Sequence, residues 1–253
     1  MEARPWGRFI DLATEVKIES SGVDRTARGA KWMAPGELSP IVVDYSCGVD
    51  DNKSTGNVTF TEVDQPGFLF FNLFRCSTLS GDLDDVREWT DDSFESIKSE
   101  ALAYAATTAI TGSHYNLATH STQMQNATSV TDVVGFVEMG LADRISNQRG
   151  YILMHPRYLA NAVAAYVIRQ EGDILVSPSG HKVIADAGVR PYNVVYGTGS
   201  LGWAIMSGPD DANMRSYLDR TRNIATWFKE SYGIVVFNPA WSVKSTITGG
   251  YPG

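Results

Sequence analysis

Six consecutive residues, Gly197-Thr198-Gly199-Ser200-Leu201-Gly202, match the G-x-G-x-x-G spacing that can cradle the pyrophosphate of a dinucleotide. That chemistry needs a helix after the glycines, so that its first N–H groups aim at the phosphates. Here they run into Trp203-Ala204-Ile205-Met206, a strand-like stretch that stops at Gly208-Pro209. The spacing therefore predicts a hairpin turn. Ser179-Gly180-His181-Lys182 has the S-x-x-K spacing of some serine acyl-enzymes. The companion S-D-N and K-T-G motifs are missing and the serine precedes a strand, so this too is a turn. His114, His120, His155 and His181 show no H-x-x-x-H spacing and no nearby Cys, hence no metal set. His155, before Pro156, is a helix-start residue. Asp84-Asp85 and Asp91-Asp92 suit the start of a helix, where acids complement its dipole, and Asp210-Asp211 suits a solvated turn. The only basic run, Arg25, Arg28 and Lys31 beside Trp32, reads as a solvated strand face. No constellation supports catalysis; the expectation is no enzyme, no catalytic, cofactor-binding or metal residues, and no cofactor.

Composition agrees with that expectation. The 253 residues carry 21 basic and 29 acidic side chains, a formal net charge of −8, which argues against gripping nucleic acid through a broad basic face. Charged residues are 20% and apolar residues 43% of the chain, a balance that can bury a core. Cys47 and Cys76 are too few for a disulfide scaffold or a zinc site; one bridge or two free thiols both fit, and a reducing compartment favours thiols. No signal-peptide pattern and no membrane-spanning apolar run occur. The chain is expected to fold in a cytoplasm.

Stepping along the chain, the first 90 residues read as extended. Glu15–Glu19 alternates polar and apolar, while Ile41-Val42-Val43, Val58-Thr59-Phe60 and Phe68-Leu69-Phe70-Phe71 are strand candidates. Residues 47–57 form an exposed loop on composition. Asp92-Ser93-Phe94-Glu95 predicts a capping box opening a helix to about Ile110, and His114 to Asn126 reads as loop. Val134, Val137, Leu141 and Ile145 mark a helix capped by Ser129 or Thr131. Tyr151–Met154 is a buried strand, and a helix from Pro156 to Gly172 follows. Ile174–Val176, Lys182–Ile184, Val194–Tyr196 and Trp203–Met206 are strands; residues 214–230 are ambiguous; Ile234–Phe237 and Ser242–Thr248 close the chain as strands. The class is α+β.

Taken together, four segments resemble the major capsid proteins of tailed bacteriophages, closest to those of phages infecting actinobacteria. They are Cys47-Gly48 followed by Phe74-Arg75-Cys76-Ser77-Thr78 and the helix bearing Glu95 and Glu100; Leu141-Ala142-Asp143 with Gly150 to Leu159; Leu175 to Gly188; and Asp219 to Ile224 with Val236 to Ala240. The third is similar to the family's L-x-T/S-P-x-G-x-x-V-V-x-G-A-G stretch, with Asp186 in place of its first glycine. Order and spacing over residues 45–248 carry the likeness.

The resemblance implies the HK-ninety-seven-like capsid fold: an N-terminal arm (1–25), an extended β loop with flanking strands (26–75), a peripheral domain (76–129 and 209–253) with a spine helix near 90–111, and an axial domain (130–208). It implies a major capsid protein self-assembling into pentamers and hexamers, an icosahedral shell enclosing double-stranded DNA without sequence-specific binding. Partners would be copies of itself, a portal, and scaffolding or decoration proteins, with no membrane. Localisation would be the virion, after assembly in the host bacterial cytoplasm. Because no long, charged helical segment precedes the arm, a separate scaffold or none is expected. An encapsulin-type compartment is the alternative on the same fold, and a nucleotide-binding enzyme the alternative from another class. Trp6, Phe9 and Trp32 are aromatic candidates for contacts between subunits, or else fill the subunit's own core. Some relatives join subunits by an isopeptide bond; Lys53 and Asn238 are nominal counterparts, though no buried carboxylate to activate the lysine is visible in the sequence.

Overall fold

The structure is a computed structural model that describes residues 8–16, 30–35, 60–77, 83–110, 115–146, 148–205, 214–219 and 224–249. It opens with one helical turn, Phe9–Leu12, and strand β1 (Thr14–Glu15). Strands β2 (Ala30–Pro35) and β3 (Phe60–Gln65) pair antiparallel as a separate ribbon, followed by β4 (Phe68–Ser77) and the long helix Leu83–Thr107. A short helix, Leu117–His120, leads to β5 (Thr122–Gln123) and the helix Val130–Ile145. Then come β6 (Tyr151–Met154), the helix Pro156–Ala164, β7 (Arg169–Glu171), β8 (Ile174–Val176), β9 (Lys182–Ala185) and β10 (Val194–Thr198). The chain closes with β11 (Leu201–Ile205), β12 (Met214–Asp219), β13 (Ile224–Phe237) and β14 (Ser242–Thr246).

Two larger sheets result. The seven-stranded one runs β5-β14-β10-β6-β9-β8-β7; the other runs β1-β11-β13-β12, with β4 on the opposite edge of β13 from β12. Strand β6 and the Val194–Tyr196 part of β10 are apolar because both their faces are covered. Leu153 and Tyr196 face the long helix and its core with Phe9, Phe94, Leu102 and Phe237. Ile152 and Val195 face the second core, beneath Val134, Val137, Leu141 and Ile145. That helix can settle on β10 because Gly197 has no side chain: a Cβ there would lie 2.6 Å from Val137 Cγ1. Ser129 caps the helix, its hydroxyl accepting the Asp132 N–H at 3.1 Å.

Several local expectations are corrected. The long helix begins at Leu83, so Asp92-Glu95 lies inside it. Asp91 instead accepts from the Lys229 ammonium of β13 at 2.7 Å. Within residues 114–126, Asn116 caps a helical turn whose Leu117 is buried. The Pro156 helix stops at Ala164, because Tyr166 takes a left-handed φ of 58° and Arg169–Glu171 joins a sheet. The ambiguous 214–230 segment contributes two strands, since β13 pairs with β12 on one edge and β4 on the other. Gly199-Ser200 is a turn as expected, but not a hairpin turn: β10 and β11 belong to different sheets, and the chain crosses between them there. The closing strand β14 lies beside β10 in the seven-stranded sheet. Residues 41–43 and 47–57 lie outside the described residues.

Candidate assembly surface

Strand β4 carries apolar residues on both faces. Phe68 and Phe70 turn inward, and Phe70 stacks on Phe94 of the long helix at 5.3 Å between ring centroids. Pleating sends the alternate residues outward, leaving Leu69 47%, Phe71 58% and Leu73 42% exposed. Beside this stripe, between β4 and the helix, lies a groove of about 430 Å³ lined by Phe71, Ile97, Ala101, Tyr104 and Ile110 among others. Among the described residues, β13 is the only strand paired with β4. A long strand with an apolar outer face and an open edge is a surface suited to another chain.

The β2–β3 ribbon immediately precedes β4 in the chain. Its base is fastened by Gln65, which is buried, donates through Nε2 to the Tyr115 carbonyl at 3.0 Å and accepts the Tyr115 N–H at 2.8 Å. Both bonds join the ribbon to the segment just beyond the long helix. Another exposed aromatic, Tyr166, stands 90% exposed at its left-handed turn.

The residues singled out in the sequence fall into distinct roles. Phe9 is fully buried in the subunit's own core, which leaves no ring surface for a neighbour. Trp32 sits on β2 opposite Val63, while Trp6 and Lys53 lie outside the described residues. Asn238 is buried and its side chain accepts the Ala240 N–H at 3.0 Å, capping the turn Pro239–Trp241. Gly199 and Gly202 serve close packing, since a Cβ would meet Ile145 Cγ2 at 2.5 Å or Val16 Cγ2 at 2.6 Å. The residues after them form β11, so no helix N-terminus faces a phosphate. Ser179 sits in a turn, its N–H donating to Glu138 at 2.9 Å. His181 is buried, and its Nδ1 accepts the Gly150 N–H at 2.9 Å; burial lowers its pKa, with Glu138 opposing weakly. His155 caps its helix, and burial followed by the charges of Arg190 and Arg157 lowers its pKa. No helix among the described residues is long and apolar enough to cross a membrane. The exposed β4 stripe was not singled out by sequence, although the run Phe68–Phe74 held the signal: both strand faces are apolar.

No protein-family model matches the sequence, and no curated protein matches it. Solved structures do. One from Gordonia phage Cozz superposes with a TM-score of 0.59 at 12% identity, covering 96% of this chain and 86% of that one. The phage G structure of gp27 major capsid proteins and gp26 decoration proteins gives 0.52 at 10% identity, covering 94% and 88%. The holo-SrpI encapsulin complex from Synechococcus elongatus PCC 7942 gives 0.56 at 9% identity, covering 96% and 89%. The chain thus has a fold shared by capsid and encapsulin subunits. It is the fold of phage major capsid proteins, which the encapsulin shares, and it is α+β as the sequence implied.

Proposed function

We propose that this chain is a major capsid protein, assembling with copies of itself into pentamers and hexamers that close an icosahedral shell around the double-stranded DNA of a tailed phage. The observation that carries this is likeness along nearly the whole chain, 96% in the Gordonia phage case. The physical support is the β4 stripe, whose Leu69, Phe71 and Leu73 one subunit leaves exposed. Shells of this kind are held by repeated interfaces that close by symmetry. The net charge of −8 suits a container wall that holds DNA by enclosure and does not grip it.

In this reading the arm is residues 1–25 and the extended loop 26–75. The peripheral unit is built on the long helix and β13, and the axial unit is residues 130–208 joined by β5 and β14. Trp6, Trp32 and Lys53 are the candidate contacts in arm and loop. Portal, scaffolding or decoration proteins are the further partners, the virion is the location, and assembly takes place in the host bacterial cytoplasm. The protein catalyses no reaction. A second reading, an encapsulin-type compartment, is favoured by the SrpI likeness. Electron microscopy of the purified assembly, with its nucleic acid measured after nuclease treatment, separates the readings. Icosahedral particles with protected DNA support the first, and particles holding protein cargo support the second. A chain that stays monomeric at every concentration and salt refutes both.

A further inference from the structure

We propose that residues Arg8–Val16 form a strap tying the two sheets together, with the Asp186 carboxylate as its buckle. The inference concerns the single subunit and stands whether or not the shell reading holds. A lone turn such as Phe9–Leu12 is far too short to be stable alone, so other elements must hold its geometry. Asp186, just past β9, is 5% exposed. Its Oδ2 accepts the Phe9 N–H at 3.1 Å and the Ser99 hydroxyl at 2.6 Å, and its Oδ1 accepts the Gly188 N–H at 2.9 Å. The Ser99 oxygen in turn accepts the Ile10 N–H at 3.3 Å. One carboxylate therefore joins the strap, the long helix and a loop of the seven-stranded sheet. The loop itself lies on the helix backbone: a Cβ on Gly188 would sit 2.0 Å from the Glu100 carbonyl oxygen.

The other end of the strap belongs to the second sheet. Thr14 and Glu15 pair in parallel with Gly202 and Trp203 of β11, and the Val16 N–H donates to the Trp203 carbonyl at 2.7 Å. Between the two ends, Phe9 and Leu12 are buried in the core that the sheets share. Nine residues thus touch both sheets and the helix between them. Arg8 and Asp11 close the outer side with an exposed pair at 2.8 Å.

Amide hydrogen exchange on the purified full-length chain carrying Asp186→Asn tests this. An amide keeps one acceptor oxygen and turns an N–H₂ toward existing donors, which should speed local opening by about 10- to 100-fold. The strap predicts that Phe9, Ile10 and Val16 accelerate together, while Ile152 and Val195 in the seven-stranded sheet stay unchanged. Acceleration of Phe9 and Ile10 without Val16 would overturn the strap and leave only a local hydrogen-bond cluster. No acceleration, or an equal rise at Ile152 and Val195, would overturn it as well. Ser99→Ala, which keeps the carboxylate, should give a smaller rise at the same three amides, and it decides the question if Asp186→Asn does not fold.

Discussion

Replacing Phe71 by Thr should weaken assembly and leave the subunit intact. Phe71 is 58% exposed on the outer face of β4. An aromatic side chain offers roughly 200 Å², so about 115 Å² is open to a neighbour, worth about 3 kcal/mol at about 25 cal/mol/Å². Threonine keeps one methyl and a high strand preference, so roughly 2 kcal/mol is lost per contact, about a 30-fold weakening. The concentration at which particles appear, followed by light scattering and size-exclusion chromatography, should rise by at least that factor. Thermal unfolding of the unassembled subunit should change by no more than about 0.5 kcal/mol, as for other exposed substitutions. An unchanged onset concentration would refute the assignment of this stripe to an interface. A stability loss in the isolated subunit as large as 2 kcal/mol would refute it differently, by placing Phe71 in the subunit's own packing.

Three further perturbations bear on the scaffold. Lys229 is buried, pairs with half-exposed Asp91 at 2.7 Å and lies 5.3 Å from the Phe94 ring centroid. Lys229→Ala should lower stability in urea by about 2 kcal/mol, and Lys229→Met, which keeps the apolar stem, by much less. His181 has its folded-state pKa lowered by burial, so its stabilising contribution is present above about pH 6.5 and lost as pH falls through the lowered value. The unfolding midpoint should drop between pH 7.5 and 5, and His181→Asn, which can still accept the Gly150 N–H, should flatten that slope. Gly188→Ala forces a Cβ against the Glu100 carbonyl and should cost at least about 3 kcal/mol, seen as a fall in melting temperature.

The parts of the fold legible in the sequence are those decided by neighbours along the chain. Ser129 before a 3.6-residue apolar repeat marks a helix start because the cap and the stripe are both local. Tyr151–Met154 reads as a buried strand, and Val194–Tyr196 as a strand, because both their faces meet apolar layers, which removes the usual alternation. Asp92-Glu95 misled for the same reason: a capping pattern inside a longer helix looks identical until Asp91 is seen bonded to Lys229 on β13. Residues 214–230 are strand because β12 pairs with its neighbour β13, whose other edge is taken by β4, some 150 residues earlier and invisible to a local pattern.

The candidate surface divides the same way. By itself, the sequence determined that the Gly197–Gly202 run lacks the helix a phosphate loop needs, that the class is α+β, and that Phe68–Phe71 is an apolar strand. These follow from residue type and spacing. Only the tertiary structure decided that the glycine run carries the chain from one sheet to the other, that Phe9 is core, and that Phe71 is surface. It also brought Asp186 to Ser99 and the Phe9 amide, across separations of 87 and 177 residues. Burial and hydrogen bonding are set by which distant segments meet, and no local pattern encodes that meeting.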